Sequence, residues 1–154
     1  MSQYRVLPIP ATIADDVRAK MKSPQYGHPA AVEPATGKGP CRSCLRTFQL
    51  GAEERILFTY NPFEGIDRYP EPGPIFVHAQ ACEPHAGDGF PDGLRPLKMT
   101  LEAFGDERWM LRRERLDGRE PEPVIEELLA MPEVRYVNIR NSEAGCFIAR
   151  VERS

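Results

Sequence analysis

The sequence predicts an α+β fold in a single domain spanning 1–154, and three observations carry that expectation. Residues 97–103 alternate apolar and polar side chains, and Val124, Ile125, Leu128 and Leu129 recur at helical spacing. The elements around them run strand, strand, helix, strand, strand, an order that builds an antiparallel sheet with a helix packed on one face. A chain of 154 residues is ordinary for one domain and long enough to bury most of its apolar surface. Its 41% hydrophobic and 28% charged residues exclude a low-complexity disordered chain. No apolar run approaches the ~20 residues of a membrane helix. A net charge of −3 argues against a dedicated nucleic-acid binder. The partner classes left are a small molecule or another protein.

Proline divides the chain. Thirteen of its sixteen prolines lie at or before Pro96, and each fixes φ and removes a backbone donor. Residues 1–96 therefore read as a proline-rich, loop-heavy half and 97–154 as a regular β-β-α-β-β half. Tyr4–Ile9 reads as a short strand stopped by Pro8 and Pro10. Thr12, with Asp15 three residues on, has the form of a helix N-cap, and Ile13, Val17 and Met21 supply an apolar face up to Pro24. Residues 25–40 show no periodicity and read as one extended loop, long enough to suggest that it lines a site. Arg55–Tyr60 and Pro74–His78 are β-rich runs joined by a proline-rich excursion.

Beyond Pro96, Leu97, Met99, Leu101 and Ala103 mark a half-buried strand, with 109–116 as its partner across a turn at 105–107. The Arg112-Arg113-Glu114-Arg115 run suits a charged edge. A helix over 121–131 tolerates prolines in its first turn and ends at Pro132. Residues 134–139 and 146–151 form the last hairpin, with Val137, Ile139, Phe147, Ala149 and Val151 expected in the core.

One constellation carries chemistry: Cys41-x2-Cys44, then 33 residues, then His78-x3-Cys82. Zinc favours tetrahedral sets of thiolate and imidazole, and Cys3His is a standard structural set. A CxxC knuckle presents two thiolates from one tight turn, and a β-hairpin between the pairs would bring the second pair alongside. Cys41, Cys44, His78 and Cys82 are therefore the candidate zinc ligands, with His85 as a substitute for His78. The bland alternative is three small buried cysteines and a satisfied histidine. The same CxxC also reads as a redox pair whose thiolate Arg42 and Arg46 could stabilise, although Gly37–Pro40 precede it where a strand and helix start would be needed.

Cys146 as a nucleophile would need a histidine base, so a small buried hydrophobe is the preferred reading. His28 reads as a turn residue on a long loop. Tyr60, Phe63 and Tyr69 could line a pocket or simply pack. Arg112, Arg113, Arg115 and Arg119 could meet phosphate, but the interleaved Glu114, Asp117 and Glu120 favour a solvated charged face. No GxGxxG, P-loop, GxSxG or HExxH occurs.

Taken together, Tyr26-Gly-His-Pro29, Gly39-Pro-Cys-Arg-Ser-Cys-Leu45, Phe58-Thr-Tyr-Asn-Pro-Phe63, Pro72-Gly-Pro-Ile-Phe-Val-His78 and Asn141-Ser-Glu-Ala-Gly-Cys146 resemble, in order and over nearly the whole chain, a bacterial family catalogued as domain of unknown function 1203. The resemblance implies a small bacterial cytosolic protein and supplies no reaction or catalytic residue. The start of the chain carries no apolar secretory segment, which also leads to a cytoplasmic expectation. The Cys/His arrangement is similar to treble-clef and zinc-ribbon knuckles, except that Pro84 and Gly87 follow Cys82 where a treble clef would start a helix. Two functional readings follow. One is a non-enzymatic binding module shaped by structural zinc; the other is a thiol-dependent redox protein or enzyme using Cys41 and Cys44.

Overall fold

The computed structural model describes residues 3–63, 71–86, 89–106 and 109–154. Along the chain run β1 (Tyr4–Leu7), α1 (Ala11–Lys20), β2 (Ala31–Pro34), β3 (Glu54–Tyr60), β4 (Gly73–His78), a 3-10 turn (Asp92–Leu94), β5 (Met99–Phe104), β6 (Met110–Arg115), α2 (Pro121–Ala130), β7 (Tyr136–Asn141) and β8 (Phe147–Arg153). The strands form two sheets with every pairing antiparallel: five strands in the order β1-β8-β7-β5-β6 and three in the order β2-β3-β4. The class is α+β.

The larger sheet packs one face on α2. Leu101, Ala103, Val137, Ile139, Ala149 and Val151 meet Val124, Ile125, Leu128 and Leu129 in one aliphatic core, the stripe expected for this helix. Leu45, Phe90 and Leu94 reach the same core from the proline-rich half, and β1 pairs with β8, so the first 96 residues contribute to both sheets. The smaller sheet is covered by α1, whose Ile13, Ala14 and Val17 pack with Ile56, Phe58, Ile75 and Val77. Phe147 is buried as expected but belongs to this second core.

Three expectations need correction. Residues 25–40 are not one structureless loop, because Ala31–Pro34 pairs with β3 as β2. A four-residue edge strand with Val32 exposed and Pro34 at its end shows no periodicity; its backbone bonding to β3 makes it a strand. Thr12 is not the N-cap of α1. Pro10 takes that place without a side-chain bond, and its carbonyl accepts from the Ile13 and Ala14 N–H groups. The helix ends when Met21 turns left-handed at φ 54°, its N–H donating to the Val17 carbonyl, three residues before Pro24.

The third correction concerns β5, which is buried at all six positions and not on one face only. Its alternation reports the polarity of the faces, since the polar face is also covered. Glu102 survives burial there because Arg113 donates to Oε2 at 3.0 and 2.8 Å and Arg140 to Oε1 at 2.6 Å. Phe63 covers part of the same face, edge-on to Phe104 at 5.3 Å. The β5–β6 turn expected at 105–107 lies only partly within the described residues.

Candidate metal centre

Pro40 and Thr47 form an isolated antiparallel bridge that closes a hairpin around the CxxC. Within it the Cys41 N–H donates to the Arg46 carbonyl at 2.9 Å and the Leu45 N–H to the Cys41 carbonyl at 2.9 Å. Both cysteine side chains thereby leave the turn on the same side. Leu45 sits in the left-handed region at φ 60°, a position that costs a non-glycine residue about 1 kcal/mol. Its fully buried side chain in the α2 core offsets that strain and anchors the knuckle to the larger sheet. Gly93 passes so close behind that a Cβ there would stand 2.8 Å from the Leu45 carbonyl oxygen.

β4 delivers the third residue. Its register with β3 sets His78 opposite Arg55, and its backbone bonds the knuckle, the Arg42 N–H donating to the Phe76 carbonyl at 3.0 Å. Cys82 follows four residues beyond His78. The ligand atoms of Cys41, Cys44, His78 and Cys82 lie within 4.8 Å of one another, three of the residues buried and Cys82 half-buried. Cys41 Sγ and Cys82 Sγ are 3.8 Å apart, and Cys44 Sγ is 3.5 Å from His78 Nδ1. A tetrahedral zinc site has S···S edges of about 3.8 Å and S···N edges of about 3.6 Å, given its usual bond lengths. Such a buried cluster can bind a metal ion.

The surroundings match that chemistry. His78 Nε2 lies 3.0 Å from Glu53 Oε2, which assigns its proton to Nε2 and leaves the Nδ1 lone pair facing the thiols. Glu53 Oε1 accepts the Gln49 N–H at 2.7 Å, and that bond, followed by His78, holds the carboxyl below its ordinary pKa. The His78 N–H donates to Cys41 Sγ and Arg18 Nη2 to Cys82 Sγ, both at 3.4 Å. Hydrogen bonds from Cys41 and then Cys82 pull the Cys44 thiol far down, and bonding to Cys44 and then Cys82 pushes the Cys41 thiol far up. The cluster thus favours a thiolate on Cys44 and resists one on Cys41, whose proton those hydrogen bonds and burial retain. A divalent cation relieves that resistance. A Zn²⁺ ion with three thiolates and a neutral imidazole carries one net negative charge, and Arg18 and the exposed Arg46 beside Cys44 are placed to balance it.

Other candidate residues fall elsewhere. His85 stays outside the four-residue cluster, its backbone N–H donating to the Ser43 carbonyl at 2.9 Å. Arg42 spends its donors on backbone carbonyls: Nε donates to the Phe147 carbonyl and Nη1 to the Pro40 carbonyl, both at 2.7 Å. Burial draws its pKa down to about 10. No helix starts at the knuckle, which is a turn, so no helix dipole activates Cys41 or Cys44, and neither forms a disulfide. No helix follows Cys82 over residues 83–86, and Gly87 lies outside the described residues.

His28 is exposed and stacks on Tyr26. Cys146 is half-buried beside a hollow of about 220 Å³ lined by Tyr60, Glu71 and Arg140 among others, with no histidine. Tyr60 packs on Phe147 as well as lining that hollow, Phe63 is fully buried, and Tyr69 lies outside the described residues. Glu53, Arg18 and Gly93 escaped the sequence reading. Their roles come from strand register and helix packing, and no local spacing signals them.

Neither a curated protein nor a solved structure matches the chain. The sequence pattern of the family described as "Protein of unknown function (DUF1203)" matches residues 38–153, from just before the knuckle to the end of β8. That match covers most of the chain, and the protein therefore belongs to the DUF1203 family.

Proposed function

We propose that the chain is a one-domain binding module, for a small molecule or a protein, shaped by one structural zinc ion on Cys41, Cys44, His78 and Cys82. The observation that supports this reading is the convergence of the four ligand atoms within 4.8 Å, with the Cys41–Cys82 and Cys44–His78 pairs at tetrahedral edge lengths and the Glu53 carboxylate behind the imidazole. Thiolate with imidazole is a soft donor set that suits zinc, whereas calcium and magnesium require oxygen. Four protein ligands close the coordination sphere, which is the arrangement of a structural site rather than a catalytic one. The ion would tie together the knuckle, the end of β4, the 79–82 segment and, through Arg18, helix α1. Structural zinc yields on the order of 10 kcal/mol in small peptides, and less of that appears as net stability where a separate core already positions the ligands.

Elemental analysis of protein purified without a chelator or metal-binding tag is expected to give one zinc per chain. Cys44→Ser should abolish that stoichiometry and loosen 41–82 while the five-stranded sheet stays folded. Metal-free native protein whose Cys41 and Cys44 thiols react rapidly would overturn the reading and favour thiol-dependent redox chemistry instead.

A further inference from the structure

The polar face of the five-stranded sheet holds a second arrangement, separate from the metal centre. Arg113 and Arg115 of β6 pair in register with Glu102 and Thr100 of β5, so both guanidiniums rise from the same face as those residues. Arg140 of β7 stands opposite Thr100 on its other side. The sheet thus separates the arginines that the sequence runs together: Arg112 and Arg119 bond Glu114, whereas Arg113 turns to Glu102.

Glu102, buried beneath them, accepts from both Arg113 and Arg140 and fixes their geometry. Above lies a groove of about 360 Å³ lined by Thr100, Arg113, Arg115, Arg140, Ser142 and Glu71 among others. Three guanidiniums converge there on two lining carboxylates, Glu71 and Glu102, while Asp117 stands at the rim 3.9 Å from Arg115 Nε. The Thr100 and Ser142 hydroxyls sit 2.7 Å apart on the same wall.

Two features go beyond a solvated charged face. Asn138, two residues before Arg140 on β7 and opposite Glu102, is fully buried, and neither its Oδ1 nor its Nδ2 has a hydrogen-bond partner among the described residues. A sheet face that buries a carboxylate under two arginines, with an amide beside it that the described residues leave unpaired, buries more polar groups than a solvated charged face does. The other feature is Glu71, which reaches across 69 residues of chain to accept from Arg140 Nη2 at 3.0 Å while its own side chain stays 46% exposed. A half-exposed carboxylate on the outward donor of an otherwise sequestered arginine occupies the place a ligand's carboxylate or phosphate oxygens would take.

We infer that this groove binds a small oxyanion, a carboxylate or phosphate group carried by the ligand, on Arg113, Arg115 and Arg140, with Glu71 as the internal group it displaces. The inference does not depend on the metal reading, and its test reads anion binding alone. Full-length protein is titrated calorimetrically with inorganic phosphate and, separately, with succinate at constant ionic strength, with chloride as the control. At least one of the two should bind saturably at one site; phosphate alone identifies a phosphate-bearing ligand and succinate alone a carboxylate. Arg113→Gln combined with Arg115→Gln should weaken binding at least tenfold, and should also lower the thermal midpoint because Glu102 loses its Arg113 partner. Arg115→Glu repeats the loss without disturbing Glu102. Glu71→Gln should tighten binding several-fold by removing the competing carboxylate. Absence of saturable binding by either anion, indifference to the arginine changes, or weaker binding in Glu71→Gln would overturn the inference.

Discussion

The two sheets are both antiparallel and each is covered by a ten-residue helix, but different forces hold them. The five-stranded sheet is a ladder of consecutive backbone bonds over an aliphatic core, and its central strands are buried at nearly every position. The three-stranded sheet has a four-residue outer strand and a core that includes the thiols of Cys41 and Cys44. Prolines that shorten strands remove ladder bonds, and side-chain connections take over: Arg18 to the His78 carbonyl and Cys82, Arg42 to the Phe147 carbonyl, Arg55 to Glu33 and Thr36. One region is stable by continuity of strand and core, the other by a few cross-links whose loss is local.

That contrast can be broken at its strong end first. Leu128→Ala empties a fully buried position between α2 and the larger sheet and should cost about 2–5 kcal/mol. Urea unfolding should show the drop in midpoint, with the metal content of the native fraction unchanged. If the loss stayed confined to α2, the larger sheet would not be the stabilising unit.

Gly93→Ala tests the seam between the regions. Its Cβ would meet the Leu45 oxygen at 2.8 Å and Arg46 Cα at 3.0 Å, backbone atoms that cannot swing aside. The expected cost is about 1–3 kcal/mol, accompanied by faster hydrogen exchange in the knuckle. Glu53→Gln acts on the weaker region alone. It keeps the shape but removes the charge that orients His78, and it should weaken metal affinity roughly 10–100-fold in a chelator competition and lower the urea midpoint of metal-loaded protein in proportion.

The smallest effect concerns the ion pair between Arg95, after the 3-10 turn, and Glu122 in the first turn of α2. Arg95 holds the Glu122 carboxyl below its ordinary pKa. A carboxyl depressed in the folded state stabilises above its unfolded pKa, near ~4.3, and that contribution disappears as pH falls through the lower folded value. Glu122→Gln should therefore unfold slightly more easily than the parent at pH 7, and the gap should close in strong acid. A gap that persists at low pH would mean the side chain acts through packing instead.

Legibility in the sequence followed the same contrast. β5, α2, β7, β8, the helix stripe and the apolar positions of the last hairpin were readable because each is a repeat at period 2 or 3.6, a local consequence of which side faces the core, and β6 followed from the turn at 105–107 as the partner of β5. The four members of the metal cluster were readable as well, since ligand chemistry admits few residue types and a tight turn constrains their spacing. β2 was not readable, because an exposed four-residue edge strand has no buried face to impress a period on its sequence. Strand boundaries drifted by up to two residues where backbone pairing, not polarity, sets the end: β7 begins at Tyr136, not Val134, because its partner β5 ends at Phe104, which pairs with Tyr136.

By itself, then, the amino-acid order determined the fold class, the main helix, the apolar face of the larger sheet and the set of residues able to hold an ion. Each of these depends on interactions within a few residues or on side-chain chemistry alone. Only the tertiary structure decided that β1 returns to pair with β8, that Glu53 stands behind His78, and that Arg113 and Arg140 converge on Glu102. Those contacts join residues 11 to about 150 positions apart, and the register and packing that bring them together belong to the whole chain, not to any local segment of it.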